Sequence, residues 1–238
     1  VLMNSKKIEY KTLKKKVDKN GYFIVKSFLD SKQVNKILSL LRKEFNSKKD
    51  IRKSGKYLSG MSDFQRLDIG EYAASSRFAR YFFKFPWNKN DAFSKIASDA
   101  YDVRSNLTKY QIGLWNGLKN ISSSKKQTKL SKFCYSYLIQ YPVGGGFMSC
   151  HREYYSKESR GNAYVVYVLL TTKGKDFKKG GAYIKKNNKL IMIEDKAKAG
   201  DLIVYKGSNY HGVMTIDNDK NLDLNTINGR IIFTPVMN

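Results

Sequence analysis

The rhythm of apolar and polar residues changes near residue 133. Before it, apolar positions recur at three- and four-residue spacing, first as Val34, Ile37, Leu38, Leu41 and Phe45, then as Phe93, Ile96, Ala97, Ala100 and Val103. The first stripe predicts a helix capped by Asp30 or Ser31 and laid on a sheet, and the second a helix from Asp91 to about Asn106. A short strand, Gly21-Tyr22-Phe23-Ile24-Val25, precedes the first helix. After residue 133 the apolar residues come in short runs broken by Gly, Asn, Asp and Lys. These predict strands near 133–141, 147–153, 163–171, 181–185, 189–194, 201–205, 211–215 and 230–236. Eight short strands in that stretch suit a sandwich or jelly roll, an α+β fold whose early helices buttress one face.

Between these elements lie segments of other texture. Residues 46–62 are polar with little periodicity, a surface loop or a lid over the substrate. Residues 63–87 mix aromatics with Arg66, Arg77 and Arg80, read as core and helix face, with a substrate-pocket wall as the lesser alternative. Residues 120–132 form a lysine-rich linker. The organisation expected is a basic segment at 1–20 and one domain over 21–238, with helical support at 21–132 and a jelly-roll core at 133–238.

Composition narrows the classes. A hydrophobic share of 41% with 13% aromatics fits a globular chain and excludes general disorder. Two cysteines, Cys134 and Cys150, are too few for a disulfide framework and suit reduced thiols in a cytoplasmic protein, with Cys150 as a packed thiol. No apolar run approaches the roughly 18 residues of a membrane helix. The net charge of +25 suggests a polyanionic partner, but the excess is 36 Lys against 9 Arg, spread along the chain. Base and phosphate readers prefer the arginine fork. Solvated lysines are therefore the favoured reading, and nucleic acid is a possible partner that is not favoured.

The candidate chemistry centres on Tyr137 to Tyr155. It holds His151, one of two histidines in the chain, with Glu153 two residues on, and residues i and i+2 of a strand project from one face. The second histidine, His211, ends the strand-like run from Gly200. Two histidines and a carboxylate on neighbouring strands form the facial triad that holds non-haem Fe(II) and leaves coordination positions open. Gly144 to Gly146 lack a following Lys-Ser/Thr and a helix, so they read as a turn, not as a phosphate loop.

In order and spacing the second half resembles the double-stranded β-helix of the Fe(II)/2-oxoglutarate-dependent dioxygenases, nearest the phytanoyl-CoA dioxygenase and prolyl hydroxylase branches. The matching pieces are Gln140-Tyr141-Pro142, His151-x-Glu153, Gly180-Gly181, Gly200-Asp201 with its strand to His211-Gly212-Val213, and Gly229-Arg230. The resemblance implies His151, Glu153 and His211 as iron ligands, with 2-oxoglutarate and dioxygen as co-substrates. It implies oxidative decarboxylation of 2-oxoglutarate to succinate and carbon dioxide, coupled to hydroxylation of a small-molecule or carrier-linked substrate. Arg230 suits bidentate capture of the far carboxylate, and Tyr141 and Tyr167 suit phenolic hydrogen bonds to the same molecule.

The chain departs from that pattern in two places. The acid is glutamate where aspartate is usual, although its presence in place of Ala or Gly disfavours halogenation. The span from His211 to Arg230 is long, so Asp217 to Asn228 are expected to protrude as a hairpin or loop. Other readings of the residues are an ion pair between Arg230 and an Asp of that loop, a basic jelly-roll protein binding a polyanion with a vestigial metal site, and a hydroxylase of protein side chains.

Overall fold

A computed structural model describes residues 8–47, 63–72, 75–84, 91–108, 134–153 and 163–237. Among them three helices and eleven strands follow one another as α1 (Tyr10–Asn20), β1 (Tyr22–Val25), α2 (Ser31–Asn46), β2 (Phe64–Tyr72), β3 (Ser75–Lys84) and α3 (Asp91–Thr108). There follow β4 (Cys134–Pro142), β5 (Phe147–His151), β6 (Tyr164–Leu169), β7 (Gly181–Lys186), β8 (Lys189–Met192), β9 (Leu202–Lys206), β10 (His211–Met214) and β11 (Gly229–Met237).

The strands join in the order β1-β9-β6-β11-β4-β3-β5-β10-β7-β8, with β2 paired to β3. All the pairings between these strands are antiparallel. The sheet curls so that β5, β10, β7 and β8 face β4, β11, β6 and β9 across an inner core. That core contains Ile139, Tyr141, Leu169, Ile203 and Ile232 from one side and Ala182, Ile184 and Val213 from the other. This is the jelly roll expected from the strand count.

Period-two alternation divides the strands between two cores. On β4, β6, β9 and β11, Leu138, Val166, Val168, Leu202, Val204, Ile231 and Phe233 point outward. They meet Leu13 and Val17 of α1, Val34, Ile37 and Leu41 of α2, and Phe93, Ile96, Ala97 and Ala100 of α3. Each of the larger side chains contributes roughly 1.5–3 kcal/mol by leaving water. The helix α2 starts as its cap residue dictates: the Asp30 carboxylate accepts from the Gln33 amide at 2.8 Å, and the Gln33 side chain accepts from the Asp30 amide at 2.9 Å.

The structure departs from the sequence reading in three places. Part of the lysine-rich start is the helix α1, which buries Leu13 and Val17 and ends at Gly21 with φ +84°. Residues 64–72 and 75–84, read as core and helix face, form the antiparallel pair β2–β3, and β3 extends the sheet between β4 and β5. An array of alternating aromatic and charged residues mimics an amphipathic helix when only apolar count is weighed. Cys150 is exposed and not packed, because it faces away from the His151 side of β5 onto the outer surface of the sheet. Residues 217–228 take the loop form of the two expected and not the hairpin; exposed at 218–223, the loop lies back on the β4–β5 turn at Gly144 and on Arg80 of β3. The Gln140 amide donates to the Thr226 and Asn228 carbonyls at 3.1 and 3.0 Å, and the buried Asp217 carboxylate accepts from the Lys178 and Lys179 amides. Residues 48–62 and 120–132, expected as a lid and a linker, lie outside the described residues.

Candidate metal and co-substrate site

The two histidines are cross-strand partners, His151 on β5 opposite His211 on β10, with ring centroids 4.3 Å apart. Each ring is oriented by its own backbone. His151 Nδ1 lies 2.9 Å from the Ser149 carbonyl oxygen, and His211 Nδ1 lies 3.0 Å from the Asn209 carbonyl oxygen. A carbonyl oxygen only accepts, so in the neutral rings both Nδ1 atoms carry the hydrogen and both Nε2 atoms present a lone pair. Those lone pairs converge on the Glu153 carboxylate. Its Oε1 is 3.2 Å from His151 Nε2 and 4.0 Å from His211 Nε2.

The strand β5 stops at His151, and Glu153 is held two residues further on by its amide, which donates to the Gly207 carbonyl at 2.8 Å. One ligand atom from each of His151, Glu153 and His211 lies within 4.8 Å of the others. Burial opposes charge on both rings. For His211, burial and the neighbouring His151 push the pKa down to about 4, which keeps that imidazole neutral. For His151, burial is outweighed by the hydrogen bonds to Glu153 and the Ser149 carbonyl, and its pKa rises. The Glu153 carboxyl, though desolvated, is held below its usual range by His151, His211 and Arg104.

These three residues open into a cavity of about 330 Å³ inside the curl of the sheet. The same cavity is lined by Arg230, fully buried at the start of β11 and directly opposite Tyr141 on β4. Its guanidinium stands 5.1 Å from the Tyr141 ring centre and 5.4 Å from that of Tyr167 on β6. The partner of Arg230 is not an Asp of the 217–228 loop. It is Glu194, equally buried, whose Oε1 accepts from Arg230 Nε at 2.7 Å. Among the described residues, Arg230 Nη1 and the Tyr167 hydroxyl are buried with no hydrogen-bond partner, and the Tyr141 hydroxyl has only the Met148 sulfur at 3.9 Å. Burial raises the pKa of Tyr141 to about 12 and that of Tyr167 further, so both phenols keep their protons.

All six residues singled out from sequence thus line one cavity. Arg66, Arg77 and Tyr81, for which a pocket wall is the lesser of the two sequence readings, reach the cavity from β2 and β3; Arg104 from α3 and Tyr205 from β9 also line it and were not singled out from sequence. Arg66 and Arg77 share the buried Asp68, at 2.6 and 2.7 Å. The alternation Phe64, Arg66, Asp68 and Arg77, Ala79, Tyr81, Phe83 is the signal that marks the inward face of β2 and β3. Nothing in the sequence marks Glu194.

With this geometry in view, the chain can be set beside known structures. No protein-family model and no curated protein sequence matches it. Its fold aligns with a prolyl-4-hydroxylase from Pseudomonas putida at a TM-score of 0.60 and 14% identity, over 95% of this chain and 96% of that one. The fold is that of the Fe(II)/2-oxoglutarate-dependent oxygenases. Two further structures agree. A Trichoplax adhaerens prolyl hydroxylase, in complex with a peptide fragment of the hypoxia inducible factor oxygen degradation domain, aligns at 0.55 and 14% identity over 95% of this chain and 87% of that one. The non-haem α-ketoglutarate-dependent epimerase SnoN of nogalamycin biosynthesis aligns at 0.55 and 13% identity over 95% and 81%. None of the described helices is long and apolar enough to cross a membrane.

The donor set fits what this oxygenase fold would require. Two neutral imidazoles and a carboxylate suit Fe(II). Arg230 Nη1 and the Tyr141 and Tyr167 hydroxyls, in the same cavity, are donors that lack a strong acceptor among the described residues, which suits a carboxylate.

Proposed function

We propose that the protein is a non-haem Fe(II)- and 2-oxoglutarate-dependent oxygenase that hydroxylates a small-molecule or carrier-linked substrate. The observation that carries this reading is one cavity lined both by a converging His151–Glu153–His211 set and by donors of Arg230 and Tyr167 that no described residue satisfies. His151, Glu153 and His211 would hold the iron, which when bound would supply oxidation chemistry with dioxygen as the oxidant, one oxygen atom going to succinate as 2-oxoglutarate loses carbon dioxide and the other to the substrate. His151 and His211 offer Nε2 because the Ser149 and Asn209 carbonyls hold each Nδ1–H. Glu153 offers the anionic ligand. Arg230, Tyr141 and Tyr167 orient the co-substrate by its distal carboxylate, and the aromatic walls exclude water.

A cavity of about 330 Å³ matches the smaller ligand sites of proteins, which favours a small molecule or a single side-chain-sized group over a broad surface. The test is formation of succinate from 2-oxoglutarate with Fe(II) and oxygen, which uncoupled turnover reveals without the primary substrate. We expect wild-type turnover and a loss on the order of a thousandfold in His211→Ala, as for removal of a group the chemistry requires. Equal succinate formation by both proteins would overturn the reading.

A further inference from the structure

We propose that Glu194 is a positioning residue that cancels the charge of Arg230 and thereby sets how strongly the cavity prefers a dicarboxylate over a monocarboxylate 2-oxo acid. The inference rests on the co-substrate reading given above and concerns a residue outside the metal triad and outside the donor set.

The geometry is closed on three sides. Glu194 Oε1 accepts from Arg230 Nε at 2.7 Å, and Oε2 accepts from the Ala182 amide at 2.6 Å. With Oε2 taken by the backbone, the carboxylate grips the guanidinium by one edge only and leaves Nη1 without a partner among the described residues. Gly181 makes the room. It sits at φ +110°, where side chains are rarely tolerated, and a Cβ there would come within 2.8 Å of Glu194 Oε2. The second glycine of the Gly180-Gly181 pair is therefore the floor on which the carboxylate rests.

Both charges are fully buried, at 1% and 0% side-chain exposure. A lone guanidinium in that position would be costly in the empty protein, and Glu194 keeps it charged and fixed. The same carboxylate has a second consequence. A ligand carboxylate arriving at Nη1 becomes the third charge in a row of minus, plus and minus, with the two anions repelling each other across the cation. The distal end of a 2-oxo acid is then held mainly by hydrogen-bond geometry at Arg230, Tyr141 and Tyr167. An arginine without Glu194 would hold it by net charge.

The experiment uses the full chain loaded with Mn(II) and measures dissociation constants of 2-oxoglutarate and of 2-oxopentanoate, which has the same chain length and no distal carboxylate. Glu194→Gln removes the charge and keeps an oxygen to accept from Arg230 Nε, while its NH2 faces the Ala182 N–H, a local cost common to both acids that leaves their ratio as the readout. In it the ratio of the two constants should rise about tenfold in favour of 2-oxoglutarate, the difference between an ordinary and a charge-assisted contact. Glu194→Asp, which retains the charge, should keep the wild-type ratio. A purely structural role would shift both constants together, so an unchanged or smaller ratio in Glu194→Gln overturns the proposal while leaving the co-substrate reading intact. Failure of 2-oxoglutarate to bind the metal-loaded wild type would overturn both.

Should Glu194→Gln not fold, the wild type still decides. A neutralised arginine has little pull on a lone anion, so acetate titrated into the metal-free protein should show no saturable binding below about 50 mM by ligand-observed NMR. Saturation below that concentration would overturn the proposal.

Discussion

Strands β4, β6, β9 and β11 carry different chemistries on their two faces. Outward, Leu138, Val166, Val168, Leu202, Val204, Ile231 and Phe233 pack against the three helices. Inward, often one residue away, stand Tyr141, Tyr167, Tyr205 and Arg230 around the cavity. The outer face is close-packed and apolar and supplies stability. The inner face holds a buried ion pair and donors unpartnered among the described residues, arrangements that cost stability unless a ligand completes them. One backbone thus separates the residues that hold the fold from those that do the chemistry by a single step of the pleat.

The comparison can be broken most severely from the outer face. Phe233→Ala removes a fully buried ring next to the inward-facing Ile232 and should lower unfolding free energy by about 3–5 kcal/mol. Metal affinity per folded molecule should stay within a few-fold of wild type. Urea unfolding followed by Mn(II) binding at low denaturant checks both halves, and a parallel collapse of metal binding would mean the faces are not separable.

From the inner face, Arg230→Met should weaken 2-oxoglutarate binding roughly tenfold or more through the lost donors. Binding of the metal alone should change much less. Equal losses for metal and 2-oxo acid would assign Arg230 to the scaffold. The substitution also leaves Glu194 buried without its cation, so part of the response will appear as lower thermal stability.

A smaller effect sharpens the same contrast at the 217–228 loop, which belongs to neither face. Burial works to raise the pKa of Asp217, but the Lys179 amide, the Lys220 ammonium and the Lys178 amide outweigh it and hold it low. A depressed carboxyl stabilises the fold above its unfolded-state value near 3.8, and that contribution is lost as pH falls through the lower folded-state value. Wild type should therefore lose its advantage over Asp217→Asn in acid. Unfolding curves at pH 7 and pH 3 test this; a constant gap would show the carboxylate's charge to be irrelevant.

Much of this was legible in the sequence for identifiable reasons. The helices α2 and α3 were marked by apolar stripes, and Asp30 by its capping chemistry. The β-rich half was marked by short alternating runs between turn residues. His151, Glu153 and His211 stood out because the chain has so few histidines and because strand periodicity puts i and i+2 together. The pair β2–β3 was obscured because its inward face mixes Arg66, Asp68 and Arg77 with aromatics, so no apolar stripe separates it from a helix. Glu194 was invisible since its role exists only where β11 passes the turn after β8, 36 residues away in sequence. Cys150 was misread because alternation tells which face a residue takes but not whether that face is covered.

The central claim is that the converging triad and Arg230 form one working site. Anaerobic titration of the metal-free protein with Fe(II) and 2-oxoglutarate tests it most directly, by the weak visible charge-transfer band of the iron-bound 2-oxo acid. A band that needs both additions and disappears in His211→Ala is the result this structure predicts. A wild-type protein that binds neither, or a band that survives in His211→Ala, would contradict it.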